Sequence, residues 1–259
     1  MSAEPAAPAA APARTYVDLL ASRRFPIFCK PIQKAGCTTL KCVFHHLDHG
    51  RWPDRPAEIH RRQRELLRFT DYDVTAEDVA AGGAGFAVVR KPLDRLLSFY
   101  FDKLAAFADR PAGMPWLAAR LAERYGLDPS PDLDVETHRR NLFRALDFIA
   151  ENAAGRTLEG RNPHWTPQSY VLRNVGDAKL THIPLERMAE GVERLVGQLA
   201  PGIGDLIRAA PRFNETKWSD RVDRDALIAR PLLQQVRKLF REDYRIYRAA
   251  VAAHEERAQ

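Results

Sequence analysis

The chain has 259 residues, 45% of them hydrophobic and 29% charged, proportions that exclude a disordered protein and suit one domain with a substantial core. A net charge of +6 and a sequence pI near 9.4 favour anionic partners such as phosphates, acidic glycans or nucleic acid. The basic residues fall in scattered pairs, Arg23-Arg24, Arg61-Arg62 and Arg139-Arg140, without the long run of a nucleic-acid tail, so nucleic acid is not an expected partner.

Residues 1–14, MSAEPAAPAAAPAR, carry too few packing side chains to join a core and are expected to form a disordered tail, leaving 15–259 as one domain. They lack the basic start and Leu-rich stretch of a secretory signal, and no later window approaches the ~20 apolar residues that cross a bilayer. A cytoplasmic protein without a transmembrane segment is expected. Phe25 to Lys30, FPIFCK, reads as a short buried strand, and Leu40, Val43, Phe44 and Leu47 then recur at helical spacing. Cys29, Cys37 and Cys42 are the only cysteines, an odd count that argues against a disulfide framework. Cys42, His45, His46 and His49 fall on one helical face, but their spacing matches no common zinc pattern, and no metal is expected.

Residues 51–70 are rich in Arg, Glu and Pro and predict an exposed helical excursion. Gly82-Gly83-Ala84-Gly85 punctuates the chain before a second buried strand, Phe86 to Arg90. Pro92 suits the first turn of a helix whose apolar stripe is Leu93, Leu96, Leu97, Tyr100, Leu104 and Phe107. Residues 109–131 have no clear pattern, Thr137 to Glu151 form an amphipathic helix, and Gly155 to Pro167 a loop. Leu180 to Ile183 is a third strand, followed by a helix with Leu185, Met188, Val192, Leu195 and Leu199 on one face. Leu232, Val236, Leu239, Phe240 and Tyr247 line one long C-terminal helix. Strands alternating with amphipathic helices predict an α/β fold, a parallel sheet flanked by helices.

In such a sheet, ligands bind beyond the carboxyl ends of the strands, where helix starts present backbone N–H groups to an anion. QKAGCTTLK lies at such a place. Gly36 lets the backbone approach a phosphate, Thr38 and Thr39 add hydroxyls, Lys34 supplies a cation, and Ala35 and Cys37 complete the loop. The lysine precedes the glycine, so this is not Walker A, and the stretch reads equally as a threonine-capped helix start. Arg90 at the end of the second strand and Ser98 two helical turns on make a second anion site. Alternatively, Arg90 pairs with Asp94 and Ser98 is a small residue at a helix crossing.

Together the two segments resemble the PAPS-dependent sulfotransferases, a P-loop-like α/β family, and especially the carbohydrate branch with the chondroitin and dermatan sulfotransferases. In that family a Lys-containing loop ending in Ser or Thr binds the 5′-phosphosulfate of PAPS. An Arg followed eight residues later by Ser binds the 3′-phosphate. The resemblance implies the first role for Lys34 to Thr39 and the second for Arg90 with Ser98, with Lys34 on the bridging oxygen of the donor. NPHWTPQ, with His164 and Trp165, is similar to the His-Trp-x-Pro stretch of this branch, and RFNETKW and FREDYRIY are similar to later family segments. The likeness runs from about Phe25 to Tyr247, with no motif in residues 105–155.

His164 is then the candidate general base, because an imidazole with an unperturbed pKa near ~6.5 suits the work at physiological pH, and Trp165 would stack on a sugar ring. Both residues read equally as a pin holding their loop to the core, and His60 or an acidic side chain is an alternative base. Asn214, Thr216 and Lys217 either close over the 3′ side of the nucleotide or form a polar turn. Gln33 stands where the family usually has proline. The chain shows no membrane anchor or lumenal disulfides, so it looks like a bacterial-type soluble member. A hydroxyl-bearing carbohydrate is the expected acceptor. The rival readings are a nucleotide kinase and a non-catalytic polyanion-binding protein.

Overall fold

The short apolar runs IFCK and AGFAVV sit at the middle of the sheet, where both faces are covered and a strand has no need to alternate with polar residues. The structure, a computed structural model, describes residues 19–61, 66–68, 84–173, 175, 179–211 and 218–256. The N-terminal tail, Gly82-Gly83 and the segment carrying Asn214, Thr216 and Lys217 lie outside the described residues, as does part of the stretch 51–70. What is described of that stretch is mostly turns, with one short 3₁₀ segment at Pro56–Glu58.

Among the described residues one sheet contains β1 (Leu20–Ala21), β2 (Ile27–Lys30), β3 (Leu67–Arg68), β4 (Ala84–Val89) and β5 (Thr181–Pro184), in the order β3-β1-β2-β4-β5. The three strands legible in the sequence are parallel, with Cys29 opposite Phe86 and Val88 opposite Ile183. The sheet as a whole is mixed rather than purely parallel, because β1 runs antiparallel to both β2 and β3. Strands of two residues carry too little pattern to be seen in the sequence.

Helix α1 (Cys37–His49) follows β2, and α2 (Pro92–Phe99) follows β4. The stretch 105–155, which carries no motif, supplies α3 (Pro115–Tyr125) and α4 (Val135–Ala153), the latter capped by the Asp134 carboxylate on the Thr137 N–H. Short α5 (Gln168–Arg173) precedes β5, and α6 (Met188–Val196) and α7 (Ile203–Ala209) follow it. Leu199 lies past the end of α6 and is 38% exposed, so it leaves the face predicted for it. The chain closes with α8 (Arg224–Leu227), α9 (Arg230–Leu239) and α10 (Arg241–Glu256). The expected single C-terminal helix is thus two: Phe240, at φ −105° and ψ 33°, breaks it, and the apolar stripe passes from one core to another. None of the described helices is long and apolar enough to cross a membrane.

Alternate side chains of β4 enter different cores. Phe86 and Val88 join Leu40, Phe44, Ile183 and Val192 under α1 and α6, while Ala87 and Val89 face Ile32, Ala35 and Ala250 of α10. A third cluster, including Phe99, Tyr100, Leu142, Phe148 and Trp165, forms a helical lobe from α2, α3, α4 and α9.

Two buried side chains tie α5 and α10 to the end of β4. Gln168 accepts from the Arg90 N–H at 2.9 Å and donates to the Arg90 carbonyl at 2.8 Å, doing for the end of β4 what a neighbouring strand would do. The Asp243 carboxylate, 1% exposed, accepts from the N–H groups of Gln168 and Ser169 at 2.7 and 2.8 Å, satisfying the first turn of α5. Asp243→Ala leaves both donors buried and unpaired and should cost about 2–4 kcal/mol. A urea titration checks this: the midpoint falls while the slope is unchanged.

Candidate active site

The carboxyl ends of β2, β4 and β5 open on one pocket of about 1350 Å³. Residues 33–36 turn sharply between β2 and α1, with Lys34 and Gly36 both left-handed at φ 66° and 77°. Glycine suits the second position doubly, because a Cβ there would sit 3.0 Å from Leu185 Cδ1. Helix α1 has no side-chain cap and no acidic residue in its first turn. Its opening N–H groups therefore meet the pocket without a competing carboxylate of their own helix.

Lys34, Gly36, Cys37, Thr38 and Thr39 line this pocket, and so do Arg90 and Ser98 from the other strand-to-helix junction. The Arg90 guanidinium donates to the Lys34 carbonyl at 3.0 Å, joining two segments 56 residues apart. Asp94, its alternative partner in sequence, pairs instead with Arg224 at 2.5 Å. Burial lowers the Arg90 pKa and the Asp94 charge opposes it. Ala35 departs from expectation: its side chain is wholly buried in the core beneath α10, and its N–H donates to the Ile32 carbonyl at 3.1 Å. It shapes the loop and is absent from the pocket lining. Cys37 is 7% exposed, and burial raises its thiol pKa against the pull of Lys41 and Lys34.

His164 lies on the pocket wall beside these groups. Burial and the charges of Lys103 and Lys34 push its pKa down to about 3, so the imidazole is neutral across the ordinary pH range. Its Nδ1 is buried without a partner among the described residues. Trp165 does not reach the pocket. It is 3% exposed, its ring packs against Phe99 and Phe148 with centroids 6.0 and 5.5 Å away, and its Nε1 donates to Asn152 Oδ1 at 2.9 Å. With both faces in the lobe core it cannot stack on a sugar. It pins the loop that carries His164.

Several site groups have no signature in the sequence. Arg95, 3% exposed, donates from Nε to the Gln33 carbonyl at 3.0 Å and from a terminal nitrogen to the Pro163 carbonyl at 2.7 Å, holding the Lys34 loop against the His164 loop. Burial pushes its pKa down to about 10, against the pull of Asp243. Asp102 pairs with Lys34 inside the pocket. His60, the alternative base, meets Thr38 Oγ1 at 2.8 Å and Lys41 Nζ at 3.1 Å on the same wall. Only a charged residue inside an apolar stretch, such as Arg95 between Leu93 and Leu96, hints at such roles.

The fold and the pocket define an α/β protein whose strand-to-helix turns gather cationic side chains and a helix start around one pocket. The sulfotransferase family model matches residues 17–248, and the chain belongs to that family. No curated protein and no solved structure matches it.

His164 gives the site a pH signature. In the unfolded chain it binds a proton near pH ~6.5. Folded, it does so only near 3. Between those values the unfolded state holds more protons, so stability falls as pH drops. Urea titrations at pH 7 and 5 should show a smaller acid loss in His164→Gln than in the wild type, by up to about 2 kcal/mol.

Proposed function

We propose that this chain is a PAPS-dependent O-sulfotransferase that acts on a hydroxyl of a carbohydrate or glycan-like acceptor. The observation that carries this reading is the meeting of the Lys34 loop with Arg90 and Ser98 in one pocket, the guanidinium bonded to the loop's own backbone. In this reading the first-turn N–H groups of α1, with Thr38 and Thr39, hold the 5′-phosphosulfate, and Arg90 with Ser98 holds the 3′-phosphate. Membership in the sulfotransferase family supports transfer of a sulfuryl group. No step calls for a metal.

Sulfuryl transfer, like phosphoryl transfer, asks mainly for alignment and for stabilised charge on the departing oxygen. The acceptor oxygen forms a bond to sulfur as the bond from sulfur to the bridging oxygen breaks. The electron pair stays with the nucleotide phosphate, where Lys34 stabilises it. The acceptor proton passes to a base, and His164 fits that part by position and by being unprotonated. Burial is the main force that holds His164 down, and Lys103, Lys34 and Arg95 add to it; the four negative charges of the donor offset these cations, so the basicity of His164 rises when the donor is bound.

Melting curves with and without adenosine 3′,5′-bisphosphate, the desulfated product, test the donor site. Ligand at 100 times its Kd adds about 2.7 kcal/mol to the stability of the native state. Wild type should be stabilised and Arg90→Ala should lose most of the effect; a wild type that ignores saturating nucleotide would sink the reading. A kinase would instead respond to ATP with magnesium. A polyanion binder would respond to a sulfated polymer alone, steeply with salt. Once an acceptor is found, Lys34→Met should lower kcat by at least ~10²-fold while nucleotide binding weakens far less, as steady-state kinetics beside calorimetry would show.

A further inference from the structure

Asp102 brings a largely buried carboxylate into a pocket lined mainly by cations, where the other acidic side chain, Glu186, is exposed. It pairs with Lys34, and the two side chains are 17% and 10% exposed. Lys103 Nζ lies 3.0 Å from the same carboxylate oxygen, and an Arg110 nitrogen lies 3.9 Å from the other. The position of Asp102 is fixed by the backbone around it. It stands in a π-helical turn, Tyr100–Leu104, at the end of α2, and such turns gather at functional sites. The Gly113 N–H donates to the Asp102 carbonyl at 3.2 Å, and the Met114 N–H donates to the Lys103 carbonyl at 2.9 Å. A side chain at 113 would put its Cβ 2.4 Å from the Asp102 carbonyl oxygen, so this approach requires glycine. The stretch without motifs therefore includes the seat of this carboxylate.

A carboxylate here repels a polyanionic donor, so its value lies in what it does to Lys34. Burial drives a lysine toward its neutral form, and here burial does lower the Lys34 pKa while Asp102 opposes the fall. The other groups facing Lys34 are Lys103 on the π turn, Cys37 on α1 and His164 on the opposite loop, with Arg90 on its carbonyl. Lys103 works against its charge; Cys37 favours it more weakly than Asp102 does. On the other side of the pair, burial raises the Asp102 pKa, but Lys34 and Lys103 outweigh it and the carboxyl titrates below its usual range.

We propose that Asp102 is a positioning residue: it keeps Lys34 charged and aimed into the pocket, and releases it to the donor's bridging oxygen. The release rests on the sulfotransferase reading above; the charge on Lys34 before the donor binds does not. Without a neutral lysine to recharge, the proton that stabilises the leaving oxygen is in place when the donor arrives.

Competitive labelling with acetic anhydride across pH, read by mass spectrometry of the Lys34 peptide, follows the titration of Lys34 without any donor. Asp102→Asn should move its midpoint down by at least about one pH unit, and Asp102→Glu should recover most of the shift. Circular dichroism establishes that each variant is folded, and Asp102→Ser replaces Asp102→Asn if that variant is not. A merely structural role would change stability without moving the midpoint, so an unchanged midpoint in a folded variant overturns the proposal. In a second arm, adenosine 3′,5′-bisphosphate should shield wild-type Lys34 from the reagent. A normal titration without shielding overturns the release to the donor and the sulfotransferase reading with it, while the shift in Asp102→Asn still supports the charge role.

Discussion

The guanidinium of Arg95, buried on α2, donates to carbonyls of two loops that come from distant parts of the chain, at Gln33 and Pro163. A buried cation is costly unless it is paired and bonded, and here the Asp243 charge and the two carbonyls offset that cost. The separation between the Lys34 loop and the His164 loop is therefore set by the span of one rigid, planar group. Lysine at position 95 would bring the charge without the fork that reaches both carbonyls. Gln168 and Asp243 extend the same network to the backbone of Arg90. The pocket is held by a chain of polar contacts inside apolar packing, an arrangement that rigidifies when every member is satisfied.

Electrostatics then decides what the pocket can take. Lysines and arginines converge on the open end of a helix that carries no acidic residue in its first turn. Asp102 and Glu186 are the acidic side chains among the lining residues, and Asp102 is matched to a particular lysine. Burial first, and then the same crowding, explains why a histidine can face this pocket and stay unprotonated at low pH: a buried imidazole resists charge, and each neighbouring cation adds to that resistance.

The parts of this arrangement that were legible in the sequence are local. A buried run, a glycine-bearing loop and a helical stripe lie within about 25 consecutive residues, and their order places the loop at a strand's carboxyl end. Arg90 and Ser98 are legible for the same reason, since both sit on one strand-to-helix junction. What was not legible is the set of contacts that join distant segments. The Lys34–Asp102 pair spans 68 residues, the Arg95 contact to Gln33 spans 62, and the Gln168 clamp on Arg90 spans 78. Nothing in the stretch FDK distinguishes an aspartate in a pocket from one on a surface. Trp165 shows the converse: beside a histidine it suits a sugar platform, yet Asn152 Oδ1 and two phenylalanines claim its whole ring. Strands β1 and β3 were missed because two residues cannot show a period.

The three hydrophobic clusters divide the pocket wall between them. The Lys34 loop and α1 rest on the two cores that cover the sheet, whereas Asp102 and the Trp165 anchor behind His164 belong to the helical lobe. In the reaction proposed here, the phosphosulfate would thus rest on the sheet cores and the acceptor on the lobe, with Ser98 of α2 as the lobe's contribution to the donor side. Mutation can then reshape α3 and α4 of the lobe, and with them the kind of hydroxyl compound accepted, while α2 and the nucleotide cradle stay intact. Such a division lets one ancestral domain diversify its substrates by small steps, each passing through a protein that still binds its donor.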